Sequence, residues 1–370
     1  MMRIGGYISD GEAGGTVSAR LFASPAAAVG HRCRWAWWPL LLAMAVLTGC
    51  GIERQPPLGK AWQGRRGANC LQVAAAPLNS QAAAESLARL REVGADTVAF
   101  IPFLYQETAA SLEVSRSDAV TDEELLAAID AAHRLGFAVV VKPQVLVGNG
   151  WAGTIDPGDE EGWRQWFAAY SQALLHYARL AEQQGAEWLV IGTEINRAAE
   201  QPQWAQLIAE IRGCYRGRLT YAAHNIEGVH GFAYWHLLDC VGVSYYPSLG
   251  GSAALPDLRR AVEGAVDRLA ALSREMDRPL WLLEFGIPSA QGAHREPWRW
   301  RQLDEAGDGV DVGLQARVID LWLENIAQPW LYGALIWCWY SNPRAGGDAD
   351  PHHTVQNKPA EALLRLHWQR

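Results

Sequence analysis

Eight short apolar runs of β-type composition recur along this 370-residue chain, with amphipathic segments between them. The runs lie at 70–75, 97–102, 138–142, 188–193, 219–223, 240–245, 280–284 and 331–337. Helical periodicity fills the gaps at 81–93, 122–135, 161–184, 203–215, 256–276 and 312–326, and a last segment, 359–368, follows the eighth run. In 161–184 the apolar residues Trp166, Tyr170, Leu174, Tyr177 and Leu180 recur at helical spacing and so share one face. Gly94, Gly136 and Gly185 stand where three of these helices must end, because glycine accepts the left-handed conformation that closes a helix. Strands that are apolar throughout, rather than at alternate positions, are buried on both faces, as in a parallel sheet covered by helices. Eight repeats of that unit predict an α/β fold, a (β/α)8 TIM barrel, formed by one domain over 68–370.

The front of the chain follows different rules. A basic, aromatic flank (His31 to Trp38) leads into an apolar stretch of about ten residues, half of what a membrane-spanning helix needs. It ends in Leu47-Thr48-Gly49-Cys50. The order basic, apolar, small predicts a signal peptide over 1–49. The Cys placed directly after Leu-Thr-Gly resembles a bacterial lipobox, which implies cleavage before Cys50 and a lipid on its sulfur. The expectation is a protein anchored to the membrane of a bacterial cell envelope, with the Pro-, Gly- and Arg-containing stretch 50–67 as tether. A plain signal peptide with an incidental Cys is the alternative.

The net charge of −8 argues against nucleic acid as a partner, since phosphate binding needs a basic face. Eighteen Trp exceed what a core calls for, and the surplus suits stacking against pyranose rings. The cysteines lack Cys-x-x-Cys spacing, and the Asp348, Asp350, His352, His353 cluster has no ligand spacing, so neither metal nor other cofactor is expected.

Two of the runs end in glutamate: Glu194 closes the fourth and Glu284 the seventh. In a parallel barrel, strand C-termini line the catalytic mouth. Two carboxylates from different strands there match the pair a glycosidase uses, one as acid/base and one as nucleophile or base. Other chemistry-bearing side chains also follow strands. Lys142 ends the third and Trp151 lies in its loop; His224 and Asn225 follow the fifth; Tyr245 and Tyr246 follow the sixth. Trp298 sits in the loop after the seventh, and Trp337 ends the eighth. Lys142, Trp151, Asn225, Tyr245, Tyr246, Trp298 and Trp337 are therefore the candidate substrate-binding residues. Successive strand residues face opposite ways, so at most one of Tyr245 and Tyr246 points inward, where its phenol would bond Glu284. His224 reads equally well as a satisfied core histidine.

Ordered blocks at 139–144 (VVVKPQ), 189–194 (LVIGTE), 219–225 (LTYAAHN), 238–247 (LDCVGVSYYP), 279–289 (PLWLLEFGIPS) and 332–339 (YGALIWCW) span most of the chain, with Pro297-Trp298 and Lys358-Pro359-Ala360. Together they resemble glycoside hydrolase family 113, clan A barrels with retaining endo-β-mannanase activity. The resemblance implies Glu194 as acid/base and Glu284 as nucleophile. Thr193 stands where most clan A enzymes carry Asn, Ile287 where an aromatic is expected, and His224-Asn225-Ile226 where Asn and an aromatic are expected.

These readings predict a retaining β-glycoside hydrolase acting on a β-mannan-like polysaccharide or oligosaccharide, with carboxyls about 5–5.5 Å apart. Glu194 is expected to have a raised pKa and Glu284 an ordinary or lowered one. A transglycosylase, another β-glycanase, and a non-catalytic carbohydrate-binding lipoprotein are the alternatives.

Overall fold

A computed structural model describes residues 64–148, 150–299 and 309–369. The expected leader, the lipidation residue Cys50 and the tether up to residue 63 lie outside the described residues. Eight parallel strands close a barrel: β1 (Arg65–Leu71), β2 (Thr97–Phe100), β3 (Ala138–Val141), β4 (Trp188–Thr193), β5 (Arg218–His224), β6 (Val241–Ser244), β7 (Leu280–Phe285) and β8 (Leu331–Tyr340). Each strand pairs with its sequence neighbours, and β8 returns to β1, with Arg65 opposite Gly333. The helices follow in step: α1 (Gln81–Val93), α2 (Asp122–Arg134), α3 (Glu160–Gln184), α4 (Gln203–Cys214), α5 (Asn225–Gly231), α6 (Leu255–Met276), α7 (Val312–Asn325) and α8 (Pro359–Trp368).

Local chemistry sets these boundaries. Ser80 accepts from the Ala83 N–H to start α1, and a reciprocal Thr121–Glu124 capping box starts α2. Gly94 and Gly185, both left-handed, end α1 and α3.

The first strand corrects the sequence reading. It was expected at 70–75, with a tether up to 67, but β1 already runs from Arg65. Its basic start looks like linker. Gly67 is nevertheless barrel wall, because a Cβ there would collide with the carbonyl oxygen of Thr97 on β2. Beyond Leu71 the apolar residues form a turn, with a lone bridge between Val73 and Ala76.

Two apolar layers hold the barrel. Helices pack on its outside, where Trp166, Trp204, Tyr170 and Tyr221 are fully buried. Inside, Trp281 meets Trp188 and Tyr332 edge to face and Trp188 meets Tyr332 at a tilt, with ring centroids 4.6–5.3 Å apart. Trp188 opens β4, while Trp281 and Tyr332 are the second residues of β7 and β8, so the three rings fill the N-terminal half of the barrel. Much of the tryptophan surplus is therefore packing rather than sugar platform.

A small second sheet rises past β2 and β3. Its order is Ser115–Arg116, Phe103–Gln106, Gln144–Val147. Buried Gln106 fixes it by donating to the carbonyls of Thr108, Ala109 and Ser111 and accepting from Trp166 Nε1.

Candidate active site

Glu194 follows β4 directly, and its backbone N–H binds the carbonyl of Ala222 on β5 at 2.8 Å. Its φ of 56° lies in the left-handed region, which a Glu enters only when its surroundings impose it. The side chain is largely buried, with a ring nitrogen within 3.0 Å of each oxygen. Trp151 Nε1 donates to Oε2 at 2.9 Å, and His224 Nδ1 lies 3.0 Å from Oε1. Trp151 also packs edge-on against His224, with centroids 4.6 Å apart. An Arg197–Asp156 ion pair ties the loop after Glu194 to the loop carrying Trp151.

Glu284 is the fifth residue of β7 and is 5 % exposed. Three donors reach it. Lys142 Nζ and Gln144 Nε2 (2.9 Å) bond Oε1, and Tyr246 Oη bonds Oε2 at 3.0 Å. Lys142 is fully buried, and its ammonium lies 5.3 Å from the centre of the Trp337 ring, within cation–π range. Burial pushes the Glu284 carboxyl above the usual carboxylate range. The Lys142 charge opposes this and the Glu194 charge adds to it, while the hydrogen bonds from Lys142 and Tyr246 also favour the ionised form. The expectation of an ordinary or lowered value is corrected: desolvation at the strand end outweighs the ammonium. Burial also drives the Tyr246 phenol well above its usual value, with the two glutamates adding to it, so the phenol remains a donor.

The barrel thus brings Glu194, Glu284, Lys142, Trp151, Asn225, Tyr246 and Trp337 to one end. One expected residue falls elsewhere. The Tyr245 phenol accepts from Arg268 Nε at 3.1 Å, and its ring packs against Trp322, so it faces the outer helices. The strand pleat allows only one of the adjacent tyrosines inside, and it is Tyr246. Trp298 is 45 % exposed, and no hydrogen bond or ring contact joins it to either glutamate among the described residues. Asn225 binds neighbouring protein groups: its Oδ1 accepts from the Tyr246 backbone N–H at 3.3 Å, and Nδ2 lies 3.0 Å from His224 Nε2.

Gln144 is a site residue that sequence reasoning left out, and His224 is one it read equally well as a core histidine. Gln144 lies two residues past Lys142, the same-face spacing of an extended segment, and that was the available signal. Thr193 Oγ1 is buried beside Glu194 without a protein partner.

The Asp348–His353 cluster proves to be a clamp. Buried Lys358 donates to Ser289 Oγ (2.8 Å), Asp350 Oδ1 (3.0 Å) and the His352 carbonyl (2.8 Å), tying the loops after β7 and β8 to α8. No group of three or more His, Cys, Asp or Glu that could hold a metal occurs among the described residues. Cys70, Cys214, Cys240 and Cys338 are free thiols.

Two carboxylates at the ends of β4 and β7, one ringed by donors in a closed parallel barrel, define a (β/α)8 glycoside hydrolase. The profile of Glycoside Hydrolase Family 113 matches residues 71–358, and the chain belongs to that family. Among solved structures it is similar to a GH113 β-1,4-mannanase in a complex, at 27 % identity and a TM-score of 0.72 over 84 % of this chain and 99 % of the other. It is also similar to the GH113 β-mannanase of Alicyclobacillus acidocaldarius in complex with ManMIm (26 %, TM-score 0.72, 84 % and 98 %). A further GH113 β-1,4-mannanase gives 28 % and 0.70, with 84 % and 99 % covered. Curated proteins give no match.

Proposed function

We propose that this protein hydrolyses β-mannan-type chains with retention of anomeric configuration. The observation that carries the reading is the pair of strand-end glutamates with unlike surroundings. Glu284, fixed by Lys142, Gln144 and Tyr246, attacks the anomeric carbon as the carboxylate. Glu194, directly after β4, gives its proton to the departing glycosidic oxygen. A covalent glycosyl ester on Glu284 results. Glu194, now a carboxylate, takes a proton from water as water attacks the same carbon, and the ester bond breaks. The mannan preference is drawn from the similar structures named above.

The test is digestion of β-1,4-manno-oligosaccharides and a panel of other β-glucans and xylans, with the first-formed anomer read by proton NMR. Manno-oligosaccharide cleavage giving β-product first supports the reading. Absence of mannoside cleavage, or α-product first, contradicts it.

A lipid on Cys50 is a separate part of the proposal. The described chain enters at the N-terminal end of β1, the end of the barrel opposite the glutamates. No described helix is long and apolar enough to cross a membrane. Cys50→Ser should lose labelled-palmitate incorporation; label retained on the variant would contradict the lipobox reading.

A further inference from the structure

Glu194 has a donor at Oε2, the Trp151 indole, which can only donate. At Oε1 stands His224 Nδ1, at ion-pair distance (3.0 Å), and this buried nitrogen makes no fully aligned hydrogen bond to any group, so Glu194 is the acceptor within its reach. An imidazole nitrogen donates or accepts according to where its proton sits. Asn225 decides this. The Tyr246 backbone N–H, a donor only, meets the Asn225 amide at 3.3 Å, so the atom there is the carbonyl oxygen. The amide nitrogen is then the atom facing His224 Nε2 at 3.0 Å. Nε2 must accept, and the hydrogen of the neutral ring falls on Nδ1, against Glu194. Asn225 keeps this arrangement at a φ of 55°, a left-handed conformation that Asn tolerates better than most residues.

We propose that His224 is a positioning residue for Glu194, held by Asn225 as the Nδ1–H tautomer so that it supports the carboxylate form of the acid/base. The proposal rests on the role given to Glu194 above. As the Glu194 O–H bond breaks and its proton passes to the leaving oxygen, the new carboxylate gains two N–H donors at full strength, because a charged oxygen accepts more strongly than a carboxylic acid. The same donors hold the base until a proton from water restores the acid. The titratable groups facing His224 are Glu194 after β4, Glu284 on β7 and Glu227 on α5, and Trp151 covers its ring. Burial works against the imidazolium, but the bond and charge of Glu194, with Glu284 and Glu227, leave the His224 pKa above its usual value. Asn225 Nδ2 stands against the charged ring.

Two measurements on the full chain test this. The first is nitrogen NMR of histidine-labelled protein, with His224 assigned by its loss in His224→Asn. On the alkaline side of the titration, the expected pattern is a protonated Nδ1 and a bare Nε2, reversed in Asn225→Asp, where a carboxylate at 225 calls for a hydrogen on Nε2. A wild-type ring protonated at Nε2, or an unchanged tautomer in Asn225→Asp, would overturn the proposal whatever the enzyme acts on. The second is the pH profile of kcat/KM. His224→Ala should move the alkaline limb up by about one pH unit, the worth of one charge-assisted hydrogen bond. His224→Asn, which keeps an N–H near the Nδ1 position, should bring the limb most of the way back. A slower His224→Ala enzyme with an unmoved limb would overturn the proposal and leave the role of Glu194 standing.

Discussion

At Glu284 burial and Lys142 act in opposite directions, and activity depends on the outcome because the nucleophile attacks only as a carboxylate. Burial raises its pKa, so activity should fall on acidification at a higher pH than an ordinary carboxylate would give. Lys142→Met removes the opposing charge. The acid limb of kcat/KM should then move further up, and an unmoved or lowered limb would contradict this account. The tyrosine pair makes a second contrast. Tyr246→Phe removes one hydrogen bond to a charged acceptor, and a loss of about 10- to 100-fold in kcat/KM is expected. Tyr245→Phe removes only the contact with Arg268 and should leave kcat/KM within about twofold. Comparable losses in both variants would reverse the assignment of which tyrosine faces the site. Glu194→Gln should lower kcat/KM for substrates with poor leaving groups by about 10²–10⁴-fold while sparing kcat/KM for dinitrophenyl glycosides, which depart without a proton; their kcat should still fall, because the second step loses its base. Equal losses on both would place the acid elsewhere.

The loops after β7 and β8 depend on Lys358, whose ammonium has no solvent to fall back on. Lys358→Met leaves Asp350 without its counter-charge and takes one donor each from Ser289 Oγ and the His352 carbonyl. A loss of about 2–4 kcal/mol in stability is expected by chemical denaturation, less than for a fully buried pair because Asp350 keeps some solvent. A change within about 0.5 kcal/mol would mean that the clamp is incidental. Where sequence sufficed at this scale, hydrophobic period and end signals agreed. Helix α1 and strand β4 fall at 81–93 and 188–193 as read, because apolar faces and caps mark both. It fell short where tertiary contacts override local character. The basic opening of β1 gives no apolar signal, and its place is set by Gly67 against β2. Helix α5 has one turn of periodicity too few to register. The strands of the small sheet are two to four residues long and are fixed by Gln106 and Trp166, which lie far apart in sequence. The two glutamates were legible because strand ends in such a barrel are mouth positions by geometry. The partners of Glu194 were not: the roles of His224 and Asn225 follow from which amide atom faces which nitrogen, and spacing does not encode that.

Across the whole molecule, the three inner rings close one end of the barrel and the glutamates occupy the other, so chemistry and chain entry lie at opposite ends. The proposed mechanism places its covalent intermediate at Glu284. The measurement that tests this most directly is trapping with a 2-deoxy-2-fluoro-β-mannosyl fluoride, followed by proteolysis and mass spectrometry of the labelled peptide. The fluorine slows both steps and the good leaving group favours the first, so the ester accumulates. The account predicts time-dependent inactivation with one sugar per chain, attached to Glu284 in the 280–289 stretch. A sugar on Glu194, or full turnover of mannosides with no covalent adduct on Glu284, would contradict it.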